Sequence, residues 1–551
     1  MKHNKILINV RASVIITALL LILVPGRAQE HRTGGFDITR GLETFADIYR
    51  QIDMYYVDTI SADTALRWAI DGMLMEVDPF TNFIPLNQQD EFRATTSGRY
   101  AGIGAGIRAM KDSKRVVISE PYEGFPAARA GVKAGDIILS IDGKDVKGWK
   151  VDKVSENLRG EPGTKFELKV ERPGARKPLS FKLVRENIKL PAVTWYDIID
   201  PQKGLGYIYL SSVTDDCASE VRNAIMDLKQ KGMKSLLLDL RDNPGGAISQ
   251  AVEIVGMFVP KGSLVVSTKG KLPSTCYDYL TPDEPIDTVM PLHVLVNGNS
   301  ASAAEIISGA WQDLDRATVW GRRTYGKGLV QAVRDVPYHG KLKITTARYY
   351  IPSGRCIQAY DYRHRTADGA ATTLPDSLTR EFHTRAGRPV RDGGGILPDS
   401  LIALDTIPTM VTDLYYSDQF FDYITGYVQA HPTIATPDRF SLTDDEYTAF
   451  ADAIAKTEFK YNGRSATMFA GVRQMARAEG LLDEEARALA DSLETRLKRK
   501  DIRSDLLRHR SYVQPYLEEE IVNRYYHERG SMQLHIRDDK EVNTVKVKIK
   551  K

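Results

Sequence analysis

Apolar residues at helical spacing mark the first readable stretch of the chain. Leu42, Phe45, Ile48 and Ile52 share one face, and Leu66, Ala69, Ile70 and Met73 continue the stripe. Asp78-Pro79 ends it, because a proline pushes its predecessor out of the helical region. A small helical region over 29–95 is predicted, too small to bury much alone. From Tyr100 the period drops to two. Glycines cluster over 101–107, and strands are predicted over 115–119, 137–141, 166–170 and 179–184, with helical pieces at 127–130 and 151–158 and an Asp142-Gly143 turn. Together they make a β-rich unit over 96–187.

Beyond 188 strands and helices alternate. Strands are expected at 206–210, 235–240, 292–296, 319–321, 328–333 and 342–348, with helices at 218–231 and 303–311, which predicts a buried sheet flanked by helices over 188–399. Residues 400–551 read as charged and mostly helical, with candidates at 450–459, 468–478, 483–498 and 516–526. The last stretch, 535–551, alternates basic and apolar residues and suits an exposed tail.

Composition narrows the class. A chain of 551 residues with 42% hydrophobic and 27% charged residues is neither disordered nor a multi-span membrane protein, and its length calls for several domains. The formal charge of +3 comes from the leader, where Lys2, Lys5, Arg11 and Arg27 stand without an acid. The balanced remainder gives no reason to expect nucleic acid as a partner. The leader itself, an apolar run over 12–24 followed by Pro25-Gly26-Arg27-Ala28, reads as a secretory signal over 1–28 with cleavage after Ala28. An uncleaved anchor that ties the protein to the membrane is the alternative, so the expected location is the periplasm, free or at the inner membrane. Cys217, Cys276 and Cys356 fit no metal-ligand spacing; no metal or cofactor is expected.

Three segments of the alternating region carry candidate chemistry. GNSASAAEIISGAWQD (298–313) sets small residues and serines before a helix, whose N-terminus favours developing negative charge. Ser302 with Glu305 also fits a plain capping box. RRTYGKGLVQAV (322–333) holds Lys327 between glycines in an increasingly apolar stretch, where a lysine can lose its proton and act as a general base. Gln331 follows four residues later; in a straight strand the two would lie about 13 Å apart, so contact requires a bend. DLRDNPGGAI (239–248) ends a strand in a turn at Gly245 and Gly246, whose N–H groups, with that of Ala303, could form an oxyanion hole.

The β-rich unit resembles a PDZ domain, through Gly102-Ile103-Gly104, GFPAARAGVKAGDIILSIDG (124–143) and LRGEPGTKFELKVER (158–172). With DPFTNFI (78–84), DLRDNPGG, NSASAAEI, YGKGLVQ, TTARYYIPSGRCIQ (345–358) and GGGILPD (393–399), most of 40–400 resembles the C-terminal processing peptidases, family S41, in a long form like that of Bacteroidetes-like bacteria. The resemblance implies a multidomain α/β fold with a ClpP/crotonase-like protease core, an inserted PDZ domain and helical terminal regions. It also implies a Ser–Lys endopeptidase with Ser302 as nucleophile, Lys327 as general base, Gln331 in support and Asp313 in a structural role. Gly102, Ile103 and Gly104 would take the carboxylate of a protein C-terminus, and the strand after them, 105–109, would offer a free edge for the peptide, so unfolded or exported proteins bound by their tails are the implied substrates. The insert over 359–392 and the region after 400 have no counterpart in the plain family form. Self-association and an activating lipoprotein or adaptor stay open. A non-catalytic PDZ adaptor and another hydrolase, such as an esterase, are the rival readings.

Overall fold

The computed structural model describes residues 32–111, 115–366, 369–403, 406–461, 463–498 and 501–549. The leader expected over 1–28 lies outside them. The chain divides after Phe83 into two compact units. The first holds helices α1 (Arg32–Tyr55) and α2 (Ala62–Met75). Ser61 caps α2 by accepting the Thr64 N–H, and after the helix Asp78 Oδ1 accepts the N–H groups of Phe80 and Thr81. The stripe of Leu42, Phe45, Ile48 and Ile52 is exposed.

The β-rich part of the second unit has five antiparallel strands, β1 (Ala105–Ala109), β2 (Val116–Pro121), β3 (Ile137–Ile141), β4 (Lys165–Glu171) and β5 (Leu179–Val184), side by side in that order. Helix α3 (Val151–Leu158) packs Val154 and Leu158 into their core. Strand β4 shows the pattern that fixes such a sheet: Phe166, Leu168 and Val170 point inward and their neighbours outward. Strand β1 ends the row and keeps one edge outside it.

The central sheet follows. Its strands are β6 (Val193–Asp200), β7 (Leu205–Leu210) and β8 (Ser235–Asp239), then β11 (Leu292–Val296), β12 (Ala317–Gly321) and β15 (Ser400–Leu401), adjacent in that order. Only β6 runs antiparallel to its neighbour. A separate antiparallel set joins β9 (Leu264–Gly270) and β10 (Tyr277–Leu280) to β14 (Gly340–Tyr350), which also pairs with β13 (Leu329–Val336). Every residue of β8 is buried, so both faces of the central sheet must be covered. Helices α4 (Cys217–Gln230), α5 (Ile248–Gly256) and α6 (Ala303–Asp313) cover one face, over Leu236, Leu238, Val294 and Val296.

The ClpP/crotonase-like core expected from the resemblance is not what the chain builds. The fold is a mixed α/β sheet with one antiparallel member, a second antiparallel set beside it and a β-rich insertion. Strand–helix alternation fits any layered α/β architecture, so it could not select among them.

Helices α7 (Thr409–Tyr415), α8 (Asp418–Ala430), α9 (Asp444–Ala455), α10 (Arg464–Ala478), α11 (Glu484–Lys498), α12 (Ile502–Arg508), α13 (Arg510–Asp538) and α14 (Lys540–Lys548) complete the chain. Most pack around Tyr447, Phe450, Leu506, Leu517 and Ile521. The expectation of an exposed tail fails. Ile536, Val542 and Val545 are buried against Leu205, Tyr207, Leu237 and Leu295, on the sheet face that α4–α6 leave open. Within 535–549 the inward face therefore carries Ile536, Val542 and Val545 together with the buried acids Asp539 and Glu541, while Val547 and Lys548 are exposed.

Candidate active site

Ser302 sits at the N-cap of α6 with φ 56° and ψ −117°. A residue with a side chain rarely takes that conformation, which costs about 1–3 kcal/mol and persists only where the surroundings enforce it. Three bonds do so. The Ser302 N–H donates to Glu305 Oε2 at 2.8 Å, the Ser302 carbonyl accepts the Glu305 N–H at 2.8 Å, and it also accepts the Tyr349 hydroxyl at 3.2 Å.

Glu305 is fully buried and collects donors from two segments far apart in sequence. Its Oε1 accepts the Thr324 hydroxyl at 2.6 Å and the Gly326 N–H at 2.7 Å; its Oε2 accepts the Lys327 N–H at 2.9 Å beside that of Ser302. One carboxylate oxygen thus joins the backbones of Ser302 and Lys327. Tyr349 bridges the same two residues, its one hydroxyl proton shared between the Ser302 and Lys327 carbonyls. Burial pushes the Glu305 carboxyl up to about 7, against the pull of its four donors.

The glycine turn lies against the same point. A Cβ on Gly245 would come within 2.5 Å of the Ala301 carbonyl, 2.6 Å of the Ala303 nitrogen and 2.8 Å of the Ser302 Cβ, and φ there is +89°. Only glycine fits. A Cβ on Gly246 would lie 2.0 Å from the Val213 carbonyl. The Gly245 N–H is already given to Asn243 Oδ1 at 2.8 Å, and the Gly245 carbonyl accepts the Val213 N–H. Among the described residues, the N–H groups of Gly246 and Ala303 have no such acceptor, so these two are the donors this turn leaves available. The Asn243 carbonyl accepts the Ala301 N–H at 2.9 Å, which ties the turn to the serine segment.

Lys327 precedes β13 rather than lying in it, and the pairing of β13 with β14 shifts register between Val330 and Gln331. The Gln331 side chain donates to Thr345 Oγ1 on β14 at 3.2 Å. Asp313, at the end of α6, forms a buried pair with Arg355 at 2.8 Å and accepts the Ser353 N–H, a structural role as expected.

In the β-rich unit Ile103 is buried, and Gly104 has φ +68° with no room for a Cβ against Phe125. Gly102 and Ile103 line a groove of about 410 Å³ between β1 and α3, with Ile107, Val151 and Leu158 as apolar wall and Arg159 beside them. The Arg159 guanidinium lies over the Tyr100 ring at 5.3 Å.

Among the described residues no group of His, Cys, Asp and Glu is arranged to hold a metal ion. Burial raises the thiol of Cys217 to about 12 and that of Cys356 above its ordinary value, so neither is disposed to nucleophilic chemistry. Sequence reasoning saw Glu305 only as a helix cap and did not single out Tyr349, Thr324 or Asn243. The Ser302–Glu305 spacing was a signal for the first; the others depend on contacts between distant segments.

Comparison with known proteins defines the class. The pattern of "Peptidase family S41" matches residues 204–364, that of a PDZ domain matches 117–172, and that of "Probable PDZ-protease, C-terminal helical domain" matches 410–546. A carboxy-terminal-processing protease of Bartonella bacilliformis is 34% identical over 63% of this chain and 79% of its own length. A probable CtpA-like serine protease of Staphylococcus aureus is 33% identical over 57% of this chain and 62% of its own length. A solved photosystem II D1 C-terminal processing protease is 27% identical, covering 65% of this chain and 92% of that one, with a TM-score of 0.35. The molecule is a serine-type endopeptidase. It belongs to peptidase family S41, as a carboxy-terminal-processing protease with an embedded PDZ domain. Neither these matches nor the strand order indicate a ClpP/crotonase-like core.

Proposed function

We propose that this protease cleaves exported proteins that it selects by their C-termini, using Ser302 as nucleophile and Lys327 as general base. The observation that carries the reading is the shared Glu305 carboxylate, which holds the Ser302 and Lys327 backbones together at a helix N-terminus. A substrate tail adds as a strand to the β1 edge, with its carboxylate at Gly102–Gly104 and apolar side chains along the groove. Neutral Lys327 takes the Ser302 proton as the hydroxyl attacks the peptide carbonyl. The N–H groups of Gly246 and Ala303 receive the oxyanion; Gly245 contributes by lacking a side chain rather than by donating. Lys327 then protonates the leaving amine and activates the water that releases the acyl group. Gln331 acts from β13, anchored on Thr345. The domains we assign are a leader over 1–28, a helical region over 29–95, a PDZ domain over 96–187, a peptidase core over 188–399 and a helical region over 400–551. The periplasm is the compartment that this leader implies.

The test is cleavage of an unfolded protein with an apolar C-terminus. Ser302→Ala and Lys327→Ala should each abolish it, by at least about a thousandfold, and an amidated tail should slow the wild type. Cleavage that survives Ser302→Ala would refute the mechanism.

A further inference from the structure

The strongest unexplained feature lies behind the glycine turn. Arg241, two residues before Asn243, is almost wholly enclosed, and three carboxylates surround its guanidinium. Asp239, on β8, meets it at 2.6 Å; the other two come from the far end of the chain, Asp539 at 2.7 Å and Glu541 at 2.9 Å. The ring of charge continues outward. Glu541 faces Arg322 at 3.7 Å, Asp539 faces His535 at 3.1 Å, and His535 faces Glu519 at 2.6 Å. Tyr207 donates its hydroxyl to Asp239 at 2.7 Å from the floor of the sheet.

This cluster is continuous with the turn. The Arg241 N–H donates to Asp239 Oδ1, the Asp242 N–H donates to Asn297 Oδ1, and Asp242 Oδ1 accepts from the side chains of Asn297 and Asn299. Asn243 is pinned by its side-chain bond to the Leu210 carbonyl and in turn accepts the Gly245 N–H. The turn is therefore fastened toward the serine segment by Asp242 and Asn243, and toward the opposite sheet face by Arg241. That second fastening ends on α14, which the buried Val542 and Val545 seat on the sheet.

We propose that Asp539 and Glu541 are positioning residues for catalysis: through Arg241, the end of the chain sets the place of the Gly245–Gly246 turn against Ser302. The inference rests on the oxyanion role assigned above. Arg241 cannot carry this alone. With only Asp239 left, a buried guanidinium would draw in water or shift, and the turn would follow. A displacement of about 1 Å at an oxyanion donor costs on the order of a hundredfold in rate. The substrate groove on β1 contains neither acid, so substrate binding should be spared.

The test uses the full chain, with Asp539→Asn and Glu541→Gln made singly and together. Dependence on Ser302 is established first with Ser302→Ala. If that variant cleaves, the proposed mechanism fails before this inference is reached. Asp505→Asn, which removes a buried negative charge beside Tyr461 and Arg508 elsewhere in the helical region, is the matched control for stability. The expected result is a ten- to hundredfold fall in kcat for the double variant, with KM within twofold and slower labelling of Ser302 by a fluorophosphonate at a temperature where every variant is folded. Glu541→Asp, which keeps the charge, should recover part of the rate. A kcat within twofold of wild type in the folded double variant would overturn the proposal. So would an equal fall in the control at equal loss of Tm. If the double variant does not fold, the two single variants and Glu541→Asp decide by the same criteria.

Discussion

Glu305 concentrates more of the site than any other side chain. Four donors converge on a carboxylate without solvent access, and burial still raises it to about 7 from an ordinary 4.5. A carboxyl whose folded value exceeds its unfolded value binds its proton more tightly in the native state. Its contribution to stability is therefore complete below about pH 4.5 and is lost as the pH rises through about 7. The Tm of wild type should fall over that interval from this source, and the slope should be smaller in Glu305→Gln. Activity moves the opposite way. Protonated Glu305 has an O–H where Ser302, Lys327, Gly326 and Thr324 need acceptors, so kcat should drop as the pH falls below about 7. Thermal melts and rates of both proteins across pH 4 to 9 check both slopes.

At the scale of elements, α6 is the axis of the site. Its N-terminus presents Ser302, and its C-terminus is bolted by Asp313 to Arg355, both buried. Gln312 Oε1 and the Arg391 carbonyl are the other acceptors for that guanidinium. Truncating Asp313 leaves a buried cation short of its counter-charge, which costs about 3–5 kcal/mol. Asp313→Ala should show that loss in denaturant unfolding, while Arg323→Ala, whose side chain lies at the surface on the Gly394 carbonyl, should change stability by less than about 1 kcal/mol. The strands show why so much of the fold is readable. The stretches at 137–141, 151–158, 179–184 and 292–296 have the bounds their sequence pattern predicts, because each turns apolar residues into a core; the strand at 105–109 is legible only through the resemblance to a PDZ domain. Strand β6, with its mixed burial, offers no such pattern, and it was not predicted.

At the scale of the second unit, the helical region reaches the β-rich unit as well as the sheet. Arg108 of β1 pairs with Asp418 at 2.5 Å and lies over the Phe421 ring at 4.9 Å, while Arg524 of α13 covers the same ring at 4.5 Å. Asp418 is buried and the arginine mostly so, which makes this pair worth more than a surface contact. A double-mutant cycle between Arg108→Ala and Phe421→Ala should give a coupling of about 1–2 kcal/mol in unfolding. Additive losses would mean that the stack does not fasten the two parts.

By itself the sequence determined the alternating and periodic elements, the family, and the segments that hold Ser302, Lys327 and the glycine turn, because each is written in local spacing. The tertiary structure decided which groups share a proton acceptor, which N–H groups of the turn stay available, and what the last residues of the chain do. Gly245 illustrates the difference: its φ and its neighbours, not its type, show that it makes room for Ser302 while its N–H is given to Asn243. The tail illustrates it further. A basic, alternating end reads as solvent-exposed until a sheet face of Leu205, Tyr207, Leu237 and Leu295 is found to need a cover, and a buried Arg241 to need carboxylates. Burial and charge compensation between residues some 300 positions apart are properties of the folded chain, and no local pattern encodes them.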